Sequence, residues 1–200
     1  MGNNQYYKNR ALADLEGKWD KVAIATLIYM IICGAVGTVT DYTLFQGSSF
    51  LWNIICLPLM WGFQVYFLRL IHKEDISYER LFEGYKDFVR TFLTMFLYFI
   101  AVIIGTLLFI IPGIIVACGF AMAPFILKED AEINAGDALT KSWQMMKGHK
   151  WAIFWLGLSF IGWAILACLT LGIGFLLLSP YMETACAHFY EDLKKEAVLA

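Results

Sequence analysis

Glu183 is the one acid set deep in an otherwise apolar stretch: the 32 residues before it, 151–182, carry no formal charge. An ionisable side chain inside a bilayer costs ~2.5–3.5 kcal/mol on insertion scales, so it should face protein or a water-filled cavity. Tyr181 stands two residues before it and His188 five after. Pro180, which lacks an amide hydrogen, leaves a helix carbonyl without its donor. Together Pro180, Tyr181, Glu183 and His188 form a hypothetical intramembrane binding site. Two chemistries fit them: a proton or cation site opened by the proline, or a neutral carboxyl hydrogen-bonded inside a bundle near its cytoplasmic end.

The other reactive residue types form weaker patterns. Glu129, Asp130 and Glu132 could coordinate a divalent cation, yet acids just before a capped helix are more often solvated. His72 and His149 stand apart from any metal-ligand spacing and read as structural or solvent-exposed. The five cysteines, Cys33, Cys56, Cys118, Cys168 and Cys186, form no C-x-x-C pair and read as small buried hydrophobes. The expectation is therefore no metal and no cofactor. Zinc-protease, nucleophile-elbow and Walker motifs are missing, and Gly172-Ile173-Gly174 lacks the third glycine of a dinucleotide loop. No nucleic-acid-binding pattern occurs. The sequence reads as a protein without catalytic activity.

The elements that must position these residues follow from hydropathy. The chain is 60% hydrophobic and only 16% charged over 200 residues, with mean hydropathy +0.64. A soluble domain is nearer half apolar and a quarter charged, so this is a polytopic membrane protein forming one domain, 1–200. The first 21 residues are polar and no cleavage site follows them, so no cleavable signal peptide is expected. Charge-free runs predict six spans, near 22–40, 50–68, 91–110, 113–127, 151–169 and 174–190. The 37-residue run 91–127 would make a helix about 55 Å long against a ~30 Å hydrocarbon core, so Pro112-Gly113 is expected to break it. Residues 170–174 break the last long run. Short amphipathic helices are expected in the interface before each odd span: around Ala11, Leu12, Leu15 and Trp19; from Ser77 through Phe92; and after the Asn134–Asp137 cap.

All 15 Lys and Arg residues lie in 1–21, 69–90, 128–150 and 190–200. The intervening turns hold only Asp41. The positive-inside rule places both termini in the cytoplasm. Lys86, Arg90, Lys147 and Lys150 are expected to contact anionic lipid headgroups, and tryptophans such as Trp52, Trp143, Trp151 and Trp155 to anchor the interfaces. Asn53, Gln64 and Thr170 are candidates for hydrogen bonds between helices. The expected partners are the bilayer, its anionic lipids and a further membrane protein.

Each odd span is approached through a similar junction: Glu16-Gly17-Lys18, Glu83-Gly84-Tyr85-Lys86 and Lys147-Gly148-His149-Lys150. Each even span holds a proline, Pro58, Pro124 or Pro180. This predicts three hairpin units, 1–70, 71–130 and 131–200.

The run Ala138-Leu139-Thr140-Lys141-Ser142-Trp143-Gln144-Met145-Met146-Lys147-Gly148, with Phe154-Trp155-Leu156-Gly157, Leu169-Thr170-Leu171-Gly172-Ile173-Gly174, Ser179-Pro180-Tyr181 and Ile111-Pro112-Gly113, resembles the bacterial integral-membrane family called domain of unknown function 975. The resemblance implies a small bacterial inner-membrane protein with several spans and carries no activity, cofactor or catalytic residue. The function expected is that of a non-catalytic membrane component: a scaffold, a partner subunit, or a stress or immunity-type protein. The alternatives are a small transporter or channel, proton-coupled through Glu183, and a lipid-binding membrane protein. A polar cavity reaching Glu183 would favour the transporter; an apolar groove open to lipid would favour the scaffold or lipid-binding reading.

Overall fold

The computed structural model describes residues 2–43 and 46–199, and every regular element among them is helical. Part of the predicted first loop, Leu44 and Phe45, lies outside the described residues.

Helix α1 (Asn4–Leu15) starts where the Asn3 side chain accepts the Tyr6 amide at 2.9 Å, the usual satisfaction of a free N-terminal donor. Tyr7, Ala11 and Leu15 make one fully buried face. It packs on protein, with the Tyr7 ring 5.3 Å from Phe189. Of the expected stripe, Ala11 and Leu15 enter the bundle core, Leu12 is exposed and Trp19 opens the next helix, so α1 is no purely interfacial helix. Gly17, at φ 71°, supplies the left-handed residue that ends it.

Helix α2 (Trp19–Met30), a π turn (Ile31–Ala35) and α3 (Val36–Thr43) form one continuous apolar rod. Within the π turn the Ile32 carbonyl accepts Trp52 Nε1 at 2.8 Å. The second predicted span is bent: α4 (Ser48–Ile55) and α5 (Leu57–Ile71) meet at 46°. Pro58 sits in the first turn of α5, where its missing amide costs nothing, so the chain bends just ahead of it.

A 3₁₀ helix (Tyr78–Tyr85) follows, where the spacing had predicted an α-helix. Its backbone lies directly on α5. A Cβ on Gly62 would overlap the Leu81 carbonyl, and one on Gly84 would overlap the Pro58 carbonyl. Ser77 holds the N-cap position of this helix, but its hydroxyl donates to Asp75 at 3.1 Å and not to the helix end. Tyr85, Phe88, Phe92 and Phe96 then stack successively into α6 (Phe88–Leu108).

The break in the long apolar run falls at Phe109, in extended geometry, not at Pro112-Gly113. Pro112 lies in the first turn of α7 (Ile110–Phe120). Gly113 instead permits close packing: a Cβ there would stand 2.9 Å from Thr106 Cα. With α8 (Ala123–Glu129), α7 makes a rod of 20 residues, long enough to cross a ~30 Å core. The predicted fourth span, 113–127, falls three residues short at its start and two at its end. The α7–α8 joint is held by Ser142 of α9 (Ala135–Met145), whose hydroxyl accepts the Met122 amide (3.2 Å) and donates to the Gly119 carbonyl (2.9 Å). Asn134 caps α9 through the Asp137 amide at 2.9 Å, as the sequence predicts.

Helices α10 (Lys150–Leu158) and α11 (Ile161–Leu169) form another 20-residue rod. At their joint Lys8 Nζ donates to the Ser159 carbonyl at 2.8 Å. After Leu171 and Gly172, both at positive φ, α12 (Phe175–Leu199) runs without a break into the polar tail. It is the hub of the fold, packed against α1, α2, α5 and α11, and Thr184, Ala185 and Ala187–Tyr190 are buried.

Four stretches are long and apolar enough to cross a membrane: Trp19–Thr43, Phe88–Leu108, Ile110–Glu129 and Lys150–Leu169; the bent pair α4–α5 would make a fifth. In three of the four, only 22% of the most apolar stretch is buried, so their apolar side chains point outward, the reverse of a soluble bundle. Helix α12 has the length, but Glu183, His188, Glu191 and Asp192 make it more polar than the others. The threefold pattern is only partly structural. Gly17 and Gly148 share positive φ (71° and 81°), whereas Gly84 is a packing glycine. Pro58 and Pro124 open helices, whereas Pro180 lies inside one.

Candidate functional site

Residues separated by two and five positions on a helix point about 200° and 140° apart, at roughly 100° per residue. The structure accordingly sends Tyr181, Glu183 and His188 to different neighbours. The Tyr181 ring meets Phe160 edge-on at 5.0 Å. His188 is buried, its Nε2 2.7 Å from Asp14 Oδ2 of α1, though the alignment is too poor for a hydrogen bond. Pro180 is buried, and its carbonyl accepts Thr184 Oγ1 at 2.7 Å. Glu183 is half-buried and within electrostatic range of Tyr29, Tyr98 and Cys186. Among the described residues no hydrogen bond or ion pair reaches its carboxyl. The four predicted residues thus share a helix but not a site.

Two lateral clefts lie among the apolar rods. One, of about 280 Å³, is lined by Tyr29, Cys33, Ile54, Met60, Phe96 and Ile103 where the π turn, the α4–α5 bend and α6 meet. The other, of about 360 Å³, is lined by Leu12, Trp19, Trp163, Leu166, Leu177 and Tyr181. Trp163, Leu166 and Leu177 are all more than half exposed, so this groove opens sideways. Glu183 lines neither.

The densest polar chemistry lies where the charged segments converge. A cleft of about 430 Å³ is lined by Leu68, Arg69, His72, Glu74, Lys128, Glu129 and Lys194. Arg69 is buried and pairs with Glu74 (2.9 Å) and Glu83 (2.5 Å). Glu83 also holds Lys128 at 3.2 Å. Burial alone would raise the Glu83 carboxyl, but the bond and charge of Lys128 and then of Arg69 outweigh it and hold it below the usual carboxylate range. Across the cleft Glu129 accepts Lys194 (2.6 Å) and the Tyr190 hydroxyl (2.7 Å). His72 Nε2 is 2.8 Å from Glu191 Oε1 and Nδ1 is 3.8 Å from Glu74 Oε1. His72, expected to stand alone, is therefore flanked by two carboxylates, and its ring nitrogen lies within 4.8 Å of oxygens of both Glu129 and Glu191. Sequence spacing could not reveal this, because the partners come from α5, α8 and α12; the one signal was the clustering of charge in the same three segments.

Of the four cations expected at lipid headgroups, Lys86 and Lys147 are exposed. Arg90 instead donates to the carbonyls of Asp130 (2.9 Å) and Ala131 (2.6 Å), capping the C-terminal end of α8 where a cation is favoured. Lys150 Nζ sits 3.0 Å from the centroid of the Trp143 ring.

A family model described as "Protein of unknown function (DUF975)" matches residues 93–197, which take in most of α6 and all of α7–α11, with most of α12. No curated protein and no solved structure matches the chain.

Proposed function

The chain belongs to the DUF975 family of proteins of unknown function, and from that premise we propose that it is a six-span bacterial inner-membrane protein that binds lipid laterally as a non-catalytic membrane component. The observation that carries this reading is the character of the two clefts among the apolar rods. Both are lined by apolar and aromatic side chains, and one opens sideways through exposed Trp163, Leu166 and Leu177. At membrane depth the molecule that meets such a groove is a lipid acyl chain, and dispersion contacts along the chain hold it.

The six-span topology draws support from who touches whom. Helix α1 precedes the first rod, yet it packs on the far half of α12 through Tyr7–Phe189, Arg10–Asp192 and Asp14–His188. Five crossings before α12 would leave the chain on the opposite side, so α12 must cross back to reach α1. Its polar residues are tolerable because the neighbouring helices cover them and not lipid. With the cationic segments inside, both termini lie in the cytoplasm.

The test is lipid retention. Native mass spectrometry of the detergent-purified chain should find co-purified phospholipid, and Ala167→Trp, which fills the second groove, should lower its occupancy at least several-fold. A wild-type chain that carries no lipid would refute the proposal.

A further inference from the structure

We propose that His72, Glu129 and Glu191 form a divalent-metal site that ties the end of α5 to α8 and α12 at the charged face. The three side chains come from three elements, and one donor atom from each lies within 4.8 Å of the others. An ion ~2.1 Å from each ligand sets neighbouring donors ~3–3.4 Å apart and opposite ones ~4.2 Å apart, so side-chain movements of roughly 1–2 Å close the set. The set is more than an acidic cluster. Its imidazole has a second carboxylate behind it: Glu74 Oε1 faces Nδ1 at 3.8 Å while Nε2 faces the site. Nε2 meets Glu191 Oε1 at 2.8 Å, so it carries the proton in the metal-free protein and an entering ion takes that proton's place. Glu129 is likewise held from behind by the Tyr190 hydroxyl at 2.7 Å.

Two carboxylates neutralise a 2+ ion. One imidazole and two oxygen donors suit borderline first-row ions such as Mn²⁺, Co²⁺ or Zn²⁺ better than soft Cu⁺. The adjoining cleft of about 430 Å³ leaves room for water to complete the shell. The competing cation is Lys194, 2.6 Å from Glu129 Oε1. Its side chain is 45% exposed and can swing into water when the ion enters.

The experiment is Co²⁺ binding to the full chain in detergent, free of any affinity tag. Expected are one Co²⁺ per chain, the weak visible bands of oxygen–nitrogen ligation, and a thermal midpoint raised by several degrees. His72→Ala and Glu191→Gln should abolish all three while keeping the metal-free helical content, and Lys194→Ala should tighten binding several-fold. No stoichiometric uptake by the wild type, or uptake unchanged in both ligand variants, overturns the proposal; so does a strong sulfur-to-cobalt charge-transfer band, which would put the ion on the cysteines. Should the variants fail to fold, pulsed electron paramagnetic resonance of Mn²⁺ on the wild type decides alone: coupling to one imidazole nitrogen is expected, and its absence refutes the site.

Discussion

His188 Nε2 lies 2.7 Å from Asp14 Oδ2, joining the last helix to the first. The imidazole is 3% exposed while the carboxylate keeps partial access to solvent at 30%, so Asp14 is the polar neighbour of an otherwise enclosed ring. Asp14→Ala should destabilise the detergent-solubilised protein by about 1–3 kcal/mol, because it takes the nearest polar atom away from a buried imidazole. Adding His188→Leu should recover part of that loss, because removing both partners is cheaper than removing one. Thermal unfolding of both singles and the double checks it; strict additivity would show that the two do not interact.

Ser142 satisfies both backbone groups released at the α7–α8 joint. Ser142→Ala should cost about 1–3 kcal/mol through the unmet Met122 amide, and Ser142→Cys should cost less. The comparison of melting midpoints distinguishes a hydrogen-bond role from simple packing, under which alanine would be nearly neutral.

Gly62 and Gly162 make a matched pair. Alanine at Gly62 would drive its methyl into the Leu81 carbonyl, whereas nothing stands within 4 Å of a Cβ at Gly162. Gly62→Ala should lower the yield of folded protein sharply and Gly162→Ala should not, as read by size-exclusion chromatography. Equal behaviour would contradict the close contact of the 3₁₀ helix with α5.

The Glu83 carboxyl titrates below its unfolded value because Lys128 and Arg69 hold its charged form. Its contribution to stability is complete above the unfolded value near ~4.3 and is lost as pH falls through the lower folded value. Glu83→Gln should therefore flatten the acid limb of the melting-temperature profile below about pH 4 while lowering the plateau at neutral pH. A parallel downward shift at every pH would sink this account.

The apolar rods could be read from the sequence because hydropathy and helix length are local properties. Breaks were read less well. Pro112 was credited with a turn that Phe109 makes, since proline is welcome in a first helical turn and the sequence cannot say which side of the break it falls on. The stripe expected in α1 matches the buried face only at Ala11 and Leu15, which Tyr7 joins, while Leu12 stays exposed; such a face would suit lipid or protein equally, and only the presence of α12 decides. The site residues were the least legible. Grouping Tyr181, Glu183 and His188 by proximity along the chain ignored helical phase, and His72 acquires its carboxylate neighbours through contacts between segments 119 positions apart.

The measurement that bears most directly on the central claim is ion flux in proteoliposomes. With the grooves apolar and Glu183 lining neither of them, a lipid-binding component should show no proton or cation flux above protein-free vesicles under an imposed pH gradient or membrane potential, and Glu183→Gln should leave that baseline unchanged. Flux in the wild type that disappears in Glu183→Gln would contradict the account and make the half-buried carboxyl the centre of a transporter.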